Sequence, residues 1–290
     1  MALCDPAQWG LAMERRGVMK GLLGGLLALL GAGRGGAKVR QAAGAAAPAV
    51  DIAALRAMVG YPVEVVDGAQ ALARWEALRR AGEGYPVVVG DAEALSFLAE
   101  AAGFDDREDP KAILAEAAAL QWPQAIFDAR RREREAFAAE YGAGEIEEDD
   151  EAIVGDWPAK VADAPELTTR EDILTGKPHR QCFIVIFPAQ HGWEVPAYAN
   201  WGGWNENPAP ALHVAALKSW HERYGAELVG MSGDVMNLRV ARKPASRVEA
   251  LALAREHYAY CADIVEQGMG SLAALAATYL ESRWWYFWWD

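Results

Sequence analysis

The 290 residues include 41 Asp and Glu against 28 Lys and Arg, which gives a formal net charge of −13. Residues 1–45 are basic, with six Lys and Arg against two acidic residues, so residues 46–290 carry −17. Nucleic-acid binding relies on clustered Lys and Arg that neutralise phosphates, and this excess of carboxylates argues against it. The length allows one large or two ordinary domains, and 52% hydrophobic with 24% charged residues is typical of globular proteins.

The first 45 residues resemble an export leader. Arg15-Arg16 and Lys20 precede a glycine-diluted apolar run at residues 21–33, a pattern similar to that of twin-arginine leaders. The run is shorter than the roughly 20 residues that span a bilayer, so no transmembrane span is predicted. Residues 1–47 are therefore predicted to be a leader, cleaved near small residues at 43–45, or a disordered N-terminus that touches a membrane.

Cysteine usage leaves the compartment open. Cys182 and Cys261 lie beyond residue 45, and one pair permits one disulfide. Both lie in apolar segments, where a free buried cysteine is common. Periplasmic and cytoplasmic localisation are both compatible with the sequence.

Residues 48–143 are predicted to form an N-terminal α/β region. Strands are expected at residues 61–66 and 86–90, and helices at residues 69–80, 92–102 and 110–141, the last broken near Pro123. Asp91 has the side chain of a helix N-cap, and Gly103 would end the same helix. A strand that leads directly into a helix indicates an α/β layer.

Residues 144–160 are predicted to be an acidic linker. Six of the seven residues 145–151 are carboxylates, and such a block repels itself and stays exposed. A calcium site would need ligands that alternate around a glycine turn, and that spacing is absent.

Residues 161–290 are predicted to form a C-terminal domain. Thr168 and Glu171 have capping-box spacing, which predicts a short helix ending at Gly176. The run 182–187 is apolar at both parities, as in a strand buried on both faces. Further along the chain, helices are predicted to begin at Asn207, Ser246 and Ser271, and strands at 227–231 and 235–241 are joined by a tight turn.

The most apolar segment consists of six consecutive aromatic residues, Trp284-Trp285-Tyr286-Phe287-Trp288-Trp289. Both alternating sets of side chains are apolar, which predicts a strand in the middle of the sheet. The predicted fold is therefore α/β, with a mixed central sheet, helices on both faces and this C-terminal aromatic strand buried in the sheet.

Three stretches resemble a known family. Residues 200–208 (NWGGWNENP), 219–227 (SWHERYGAE) and 284–290 (WWYFWWD) look like those of the bacterial domain of unknown function 4253. The resemblance covers roughly the last 110 residues. It implies an α/β fold with this C-terminal strand and implies no catalytic residue.

Glu206 is the candidate for chemistry. It lies between two Asn and two Trp, and aromatic walls could raise the pKa of its carboxylate and fit it for proton transfer. Asp234 or His213 would be its partner in a hydrolase-like reaction. The alternative is a loop carboxylate that caps the helix beginning near Asn207.

The histidines do not indicate a metal site. His213 and His221 could converge with His179 or His191, but their spacing lacks the paired histidines of a zinc helix. No cofactor and no metal are therefore predicted.

The function predicted from the sequence is that of a non-enzymatic binding or interaction module built on the aromatic loop 193–208. Its rings offer rigid apolar anchors for a protein or a small molecule, neither of which the sequence identifies. The glycine pair 202–203 could set two indoles at an unusual angle, as a clamp. The hydrolase-like enzyme with Glu206 stays the alternative. The residues expected to contact the partner are Trp193, Trp201, Trp204, Asn205 and Glu206.

Overall fold

A computed structural model describes residues 51–103, 107–141 and 153–290. The predicted leader, residues 1–47, and residues 144–152 of the predicted acidic linker lie outside the described residues. Within the described ranges, no helix has the length and apolarity needed to cross a membrane.

Helices and strands alternate along most of the described chain. The strands are β1 (Val63–Val66), β2 (Tyr85–Gly90), β3 (Cys182–Phe187), β4 (Glu227–Met231), β5 (Val235–Arg239) and β6 (Trp284–Trp288). The α-helices are α1 (Ile52–Val59), α2 (Ala71–Ala81), α3 (Ala92–Gly103), α4 (Pro110–Ala119), α5 (Gln124–Tyr141), α6 (Val195–Ala199), α7 (Pro210–Tyr224), α8 (Arg247–Tyr260) and α9 (Leu272–Glu281). A π-helical turn, Ile264–Met269, connects α8 to α9.

The described strands form one mixed sheet in the order β1-β3-β2-β4-β5-β6. Only the β2–β4 pair is parallel among them, with Val88 opposite Gly230. β1 and β2 come from the predicted N-terminal region and share this sheet with the strands of residues 161–290. Every residue of β2 is buried, so both faces of the sheet are covered there. The predicted α/β fold with a mixed central sheet is confirmed.

Local capping explains where several helices begin and end. The Asp91 side chain accepts hydrogen bonds from the backbone N–H groups that begin α3. Ser246 and Ser271 cap α8 and α9 in the same way. Gly225 ends α7 with a φ of 63°, in the left-handed region that favours glycine. The N-caps at Asp91, Ser246 and Ser271 are those that the sequence predicted.

The aromatic strand β6 lies at the end of the strand order and pairs with β5 alone among the described strands. The predicted position in the middle of the sheet is therefore wrong, whereas the predicted burial is confirmed. Trp285, Phe287 and Trp289 are at most 2% exposed. Tyr286 and Trp288, on the opposite face, are partly accessible. Apolarity at both parities reports burial on two faces, but it does not report how many strands lie alongside.

The predicted helix at residues 168–176 is also wrong. A short 3-10 turn, Thr168–Arg170, leads into a hairpin-like loop that an isolated bridge between Glu171 and Pro178 closes. Asp172 holds this loop by accepting hydrogen bonds from the backbone and the hydroxyl of Thr175, because a local side-chain acceptor competes with helical bonding.

The core between the sheet and the helices is unusually aromatic. Trp220 of α7 and Tyr260 of α8 contact each other, with ring centroids 5.0 Å apart. Both rings also contact side chains of β6. Phe287 lies 5.4 Å from Trp220 and 5.1 Å from Tyr260. This packing ties β6 to α7 and α8 and places the loop before α7 next to the strand.

Candidate functional site

The loop at residues 200–208 has an unusual backbone. Asn200 and Asn205 have φ values of 49° and 47°, and Gly202 and Gly203 have φ values of 114° and 80°. Non-glycine residues rarely adopt positive φ, and such conformations persist only where the surrounding structure imposes them. The Gly203 N–H donates to the Pro208 carbonyl at 2.9 Å, which closes the loop on itself.

Gly202 is required by close packing. A Cβ atom at this position would lie 2.2 Å from the Pro208 carbonyl oxygen and 2.6 Å from Nε2 of His213. No real side-chain atom tolerates such distances, so only glycine allows the loop to lie this close to α7.

His213 anchors the loop from below. It is fully buried, and its Nε2 lies 2.7 Å from Oδ1 of Asn207 while its Nδ1 lies 2.5 Å from the Tyr260 hydroxyl. An amide oxygen can only accept, so Nε2 carries the hydrogen and Nδ1 accepts from Tyr260. Burial lowers the pKa of His213 to about 3, so the imidazole is neutral at pH 7.

The two indoles of the loop have different environments. Trp201 is 3% exposed, and its Nε1 donates to the Ser232 carbonyl at 2.7 Å. Trp204 is partly accessible and meets Trp201 edge to face, with centroids 5.3 Å apart and planes at 89°. Trp201 therefore belongs to the core and supports Trp204, whose ring stays partly accessible at the surface.

Asn205 and Glu206 form the exposed tip of the loop. The Asn205 side-chain amide donates to the Asp290 carbonyl at 3.0 Å. The Glu206 carbonyl accepts from Nη2 of Arg130 at 2.8 Å, and its side chain is exposed. The Glu206 side chain is therefore not enclosed by the aromatic walls that the sequence analysis considered.

Asp234 lies in the turn between β4 and β5. Its carboxylate accepts from the Ser232 hydroxyl and from Nε1 of Trp288, each at 3.3 Å. The residue as a whole is exposed, but its carboxylate lies against the Trp288 indole, and desolvation there raises its pKa above the ordinary value. The Asp234 carboxylate is thus hydrogen-bonded within its own turn and to β6, and not to Glu206 or His213.

No hydrogen bond in the described part of the chain joins any two of Glu206, Asp234 and His213. His213 uses both ring nitrogens in buried hydrogen bonds, which leaves neither for a substrate. The geometry required for general acid–base catalysis is a donor or acceptor within hydrogen-bond reach of a reacting atom. The described residues do not assemble that geometry from these three side chains.

Trp193 lies apart from the two other tryptophans of the loop. Its ring stacks on His191 at 5.2 Å with planes 9° apart, and the Lys218 ammonium lies 5.4 Å from its centroid. His191 also approaches His221, at 6.0 Å between centroids. Within the described ranges, no three His, Cys, Asp or Glu side chains are grouped as metal ligands would be.

Sequence reasoning missed a buried carboxylate. Glu256 of α8 is 3% exposed and accepts hydrogen bonds from Nε1 of Trp122, Nε1 of Trp220 and the guanidinium of Arg223. A buried carboxylate needs such partners to offset its desolvation. Its neighbours in sequence are charged or polar, so no sequence signal marked it as buried.

Arg130 was also missed as a connector. Its Nε donates to the Ala259 carbonyl at 2.8 Å, near the end of α8, while Nη2 donates to the Glu206 carbonyl. The guanidinium therefore fixes the tip of the loop relative to α8. The alternating charges of residues 130–135 are typical of a solvated helix face or of a basic docking patch, and neither interpretation indicates this contact.

A shallow cavity of about 510 Å³ lies away from the aromatic loop. None of the predicted site residues contributes to its wall. The cavity is bordered by Asp91, Ala92, Glu93, His179, Arg180, Gln181 and Phe183.

The C-terminal part of the chain, from β3 onward, contains the aromatic loop, the turn at residues 232–234 and the aromatic strand. Residues 183–290 match the model of the family described as "Domain of unknown function (DUF4253)". Comparison with curated proteins and with solved structures gave no match. The predicted resemblance of roughly the last 110 residues is confirmed, and the family description assigns no activity.

Proposed function

We propose that this protein is a non-enzymatic binding module whose contact surface is centred on Trp204, with Asn205 and Glu206 beside it. The observation that carries the proposal is the contrast between Trp201 and Trp204. One indole is buried and hydrogen-bonded, and it holds the other edge-on at the protein surface. A partly exposed aromatic ring on a rigid support is the kind of residue that dominates binding interfaces.

The backbone of the loop supports the same proposal. The loop has four positive φ values within six residues, and hydrogen bonds to Asn207 and Pro208 close the backbone from which the Trp204 side chain projects. A preformed loop loses little conformational entropy when it binds, so a larger share of the contact energy appears as affinity.

The charges around Trp204 restrict the partner. Glu206 places a carboxylate on the exposed loop tip two residues from Trp204, whereas the Arg130 guanidinium already donates to backbone carbonyls and to Glu133. A protein or small molecule with hydrogen-bond donors or positive charge suits this surface. A polyanion such as nucleic acid does not.

The test is a titration of a partner that the intact protein captures. Trp204→Ala should weaken binding by about 2 kcal/mol or more, roughly thirtyfold in Kd, while unfolding stability falls much less. Trp157→Ala is the matched control, because Trp157 is also partly buried but lies outside the loop, beneath the Arg247 guanidinium.

The contrary result is equally specific. If Trp204 is only a core residue, Trp204→Ala should destabilise the fold by about 3–5 kcal/mol. Binding would then fall only in proportion to the unfolded fraction, and the proposal would be wrong.

A further inference from the structure

A row of aromatic rings connects the surface to the middle of the core. Trp204 contacts Trp201 at 5.3 Å between centroids, and Trp201 contacts Trp289 at 5.4 Å. Trp289 in turn lies 5.3 Å from Tyr260. Trp204 is partly accessible, whereas Tyr260 is fully buried, so the row begins at the solvent and ends inside the protein.

The last ring of the row has a proton acceptor. The Tyr260 hydroxyl lies 2.5 Å from Nδ1 of His213, and Nε2 of His213 lies 2.7 Å from Oδ1 of Asn207. The amide oxygen of Asn207 requires a hydrogen on Nε2, which leaves the lone pair of Nδ1 directed at the tyrosine proton. Asn207 is in this sense a positioning residue for the tyrosine–histidine pair.

We propose that this row transfers a one-electron vacancy from Trp204 to Tyr260, which then becomes a long-lived neutral tyrosyl radical. The oxidant is a one-electron oxidant of the oxygen-centred radical class that reaches the exposed indole. Trp204 gives one electron to this oxidant, and electrons then move outward from Trp289 and Trp201 to refill the vacancy. Tyr260 supplies the last electron.

The final step moves a proton together with the electron. When Tyr260 loses an electron, its O–H bond breaks, the proton moves to Nδ1 of His213, and the products are a neutral tyrosyl radical and an imidazolium. The imidazolium keeps its bond to Asn207.

The proton transfer makes Tyr260 the residue of the row on which the radical is most stable. An oxidised phenol is a far stronger acid than an imidazolium ion, so even a buried imidazole accepts its proton. The two buried indoles before it lack such an acceptor: Nε1 of Trp201 donates to a backbone carbonyl at 2.7 Å, and Nε1 of Trp289 donates to another at 3.4 Å. Burial then keeps the tyrosyl radical away from other molecules.

A second buried tyrosine provides a matched control. The Tyr279 hydroxyl lies 2.7 Å from Nδ1 of His257, but Nε2 of His257 has no hydrogen-bond partner among the described residues. No residue like Asn207 therefore fixes its tautomer. Tyr279 also lies beyond the row, where its ring contacts Trp285 at 5.7 Å.

The test uses the full chain and a photochemical oxidant. A ruthenium polypyridyl sensitiser with persulfate as its electron acceptor generates the one-electron oxidant in solution, and electron paramagnetic resonance detects the radicals. We expect a long-lived neutral tyrosyl signal in the wild-type protein. Tyr260→Phe should lose it, and Tyr279→Phe should keep it. Ring-deuterated tyrosine should narrow the wild-type signal, which assigns the radical to tyrosine without any substitution.

Three results would overturn the proposal. The first is a wild-type protein that gives only tryptophan radicals or short-lived surface tyrosyl radicals. The second is a Tyr260→Phe protein that keeps the long-lived signal while it melts cooperatively. The third is loss of the signal in Tyr279→Phe instead.

Discussion

Trp220 and Phe287 stack in parallel, with ring planes 3° apart and centroids separated by 5.4 Å. Most other ring contacts of Trp220 are close to perpendicular, including those with Tyr260 and Trp285. The stack is therefore a face-to-face contact between α7 and β6, and the other rings pack against it at nearly right angles. Energetically, aromatic pairs in these arrangements add to the free energy of burial.

Deletion of residues 284–290 should abolish folding. The deletion removes Trp285, Phe287 and Trp289, each at most 2% exposed, and leaves the facing rings of α7 and α8 without partners. Truncation of one buried aromatic residue costs about 3–5 kcal/mol, so the loss of several exceeds the stability of a typical domain. Circular dichroism melting and solubility test this expectation.

A milder pair of substitutions controls for nonspecific effects of the deletion. Phe287→Ala should lower the free energy of unfolding by about 3–5 kcal/mol. Val248→Ala, at a residue that is 79% exposed, should change it by less than about 0.5 kcal/mol. A soluble truncated protein that melts cooperatively would contradict the prediction.

Gly202→Ala should destabilise the loop and the fold by about 3 kcal/mol. The new methyl group would lie 2.2 Å from the Pro208 carbonyl oxygen in a backbone conformation with a φ of 114°. Gly60→Ala is the control, because Gly60 also has a positive φ but its added methyl group would meet no atom within 4 Å. That substitution should cost only about 1 kcal/mol. Equal losses in urea unfolding would show that the close approach of the loop does not matter.

Stability should fall as the pH is lowered from 6.5 to 5. Burial lowers the pKa values of His213, to about 3, and of His257. The unfolded state, with histidine pKa values near 6.5, then binds protons that the folded state does not. The histidine contribution to stability is complete above pH 6.5 and is lost as the pH falls toward the folded pKa. The expected loss is about 1.5 kcal/mol for His213, with a further loss from His257 in the same direction, measured by urea unfolding at the two pH values.

Substitution separates this effect from that of the carboxylates. His213→Gln should remove about 1.5 kcal/mol of the difference in stability between pH 6.5 and 5, whereas Val248→Ala, at an exposed residue without a titratable group, should leave it unchanged. Carboxylates such as Glu64 and Asp172, whose pKa values are lowered by hydrogen bonds from Arg74 and Thr175, lose their contribution below that interval. A stability that does not change between the two pH values would contradict the prediction.

The arginine pair gives a prediction about localisation. If Arg15-Arg16 is recognised by a twin-arginine export system, replacement of both by Lys should retain the protein in the cytoplasm of a host with that system. Replacement of Arg34 and Arg40 by Lys is the control, since both lie beyond the apolar run. Cell fractionation measures the outcome, and an unchanged distribution for the double Lys variant would argue against export by this route.

Local patterns in the sequence predicted the elements well, because their causes are local. Asp91, Ser246 and Ser271 cap helices through groups two or three residues away, and the sequence contains that information directly. The helix predicted after Thr168 failed for a related reason. A nearby acceptor, Asp172, favours a turn through the same kind of short-range hydrogen bond.

The candidate site was less predictable because its contacts join distant residues. The exposed and buried roles of Trp204 and Trp201 depend on the Ser232 carbonyl, which the turn between β4 and β5 brings to one indole. The pairing of His213 with Tyr260 depends on how α7 packs against α8. The sequence analysis considered His213 as a partner of Glu206 or as a metal ligand, and nothing in the spacing of the residues indicated Tyr260.

The position of β6 after α7 and α8 in the chain has a consequence for folding during synthesis. When residues up to 260 have left the ribosome, α7 and α8 exist, but the strand that fills the space between their aromatic faces does not. Trp220 and Tyr260 cannot make their contacts with Phe287 until that residue has been synthesised. Contacts this distant in sequence close slowly, and the unfinished chain exposes apolar surface meanwhile. A nascent chain of this protein is therefore expected to need protection by a chaperone until β6 arrives.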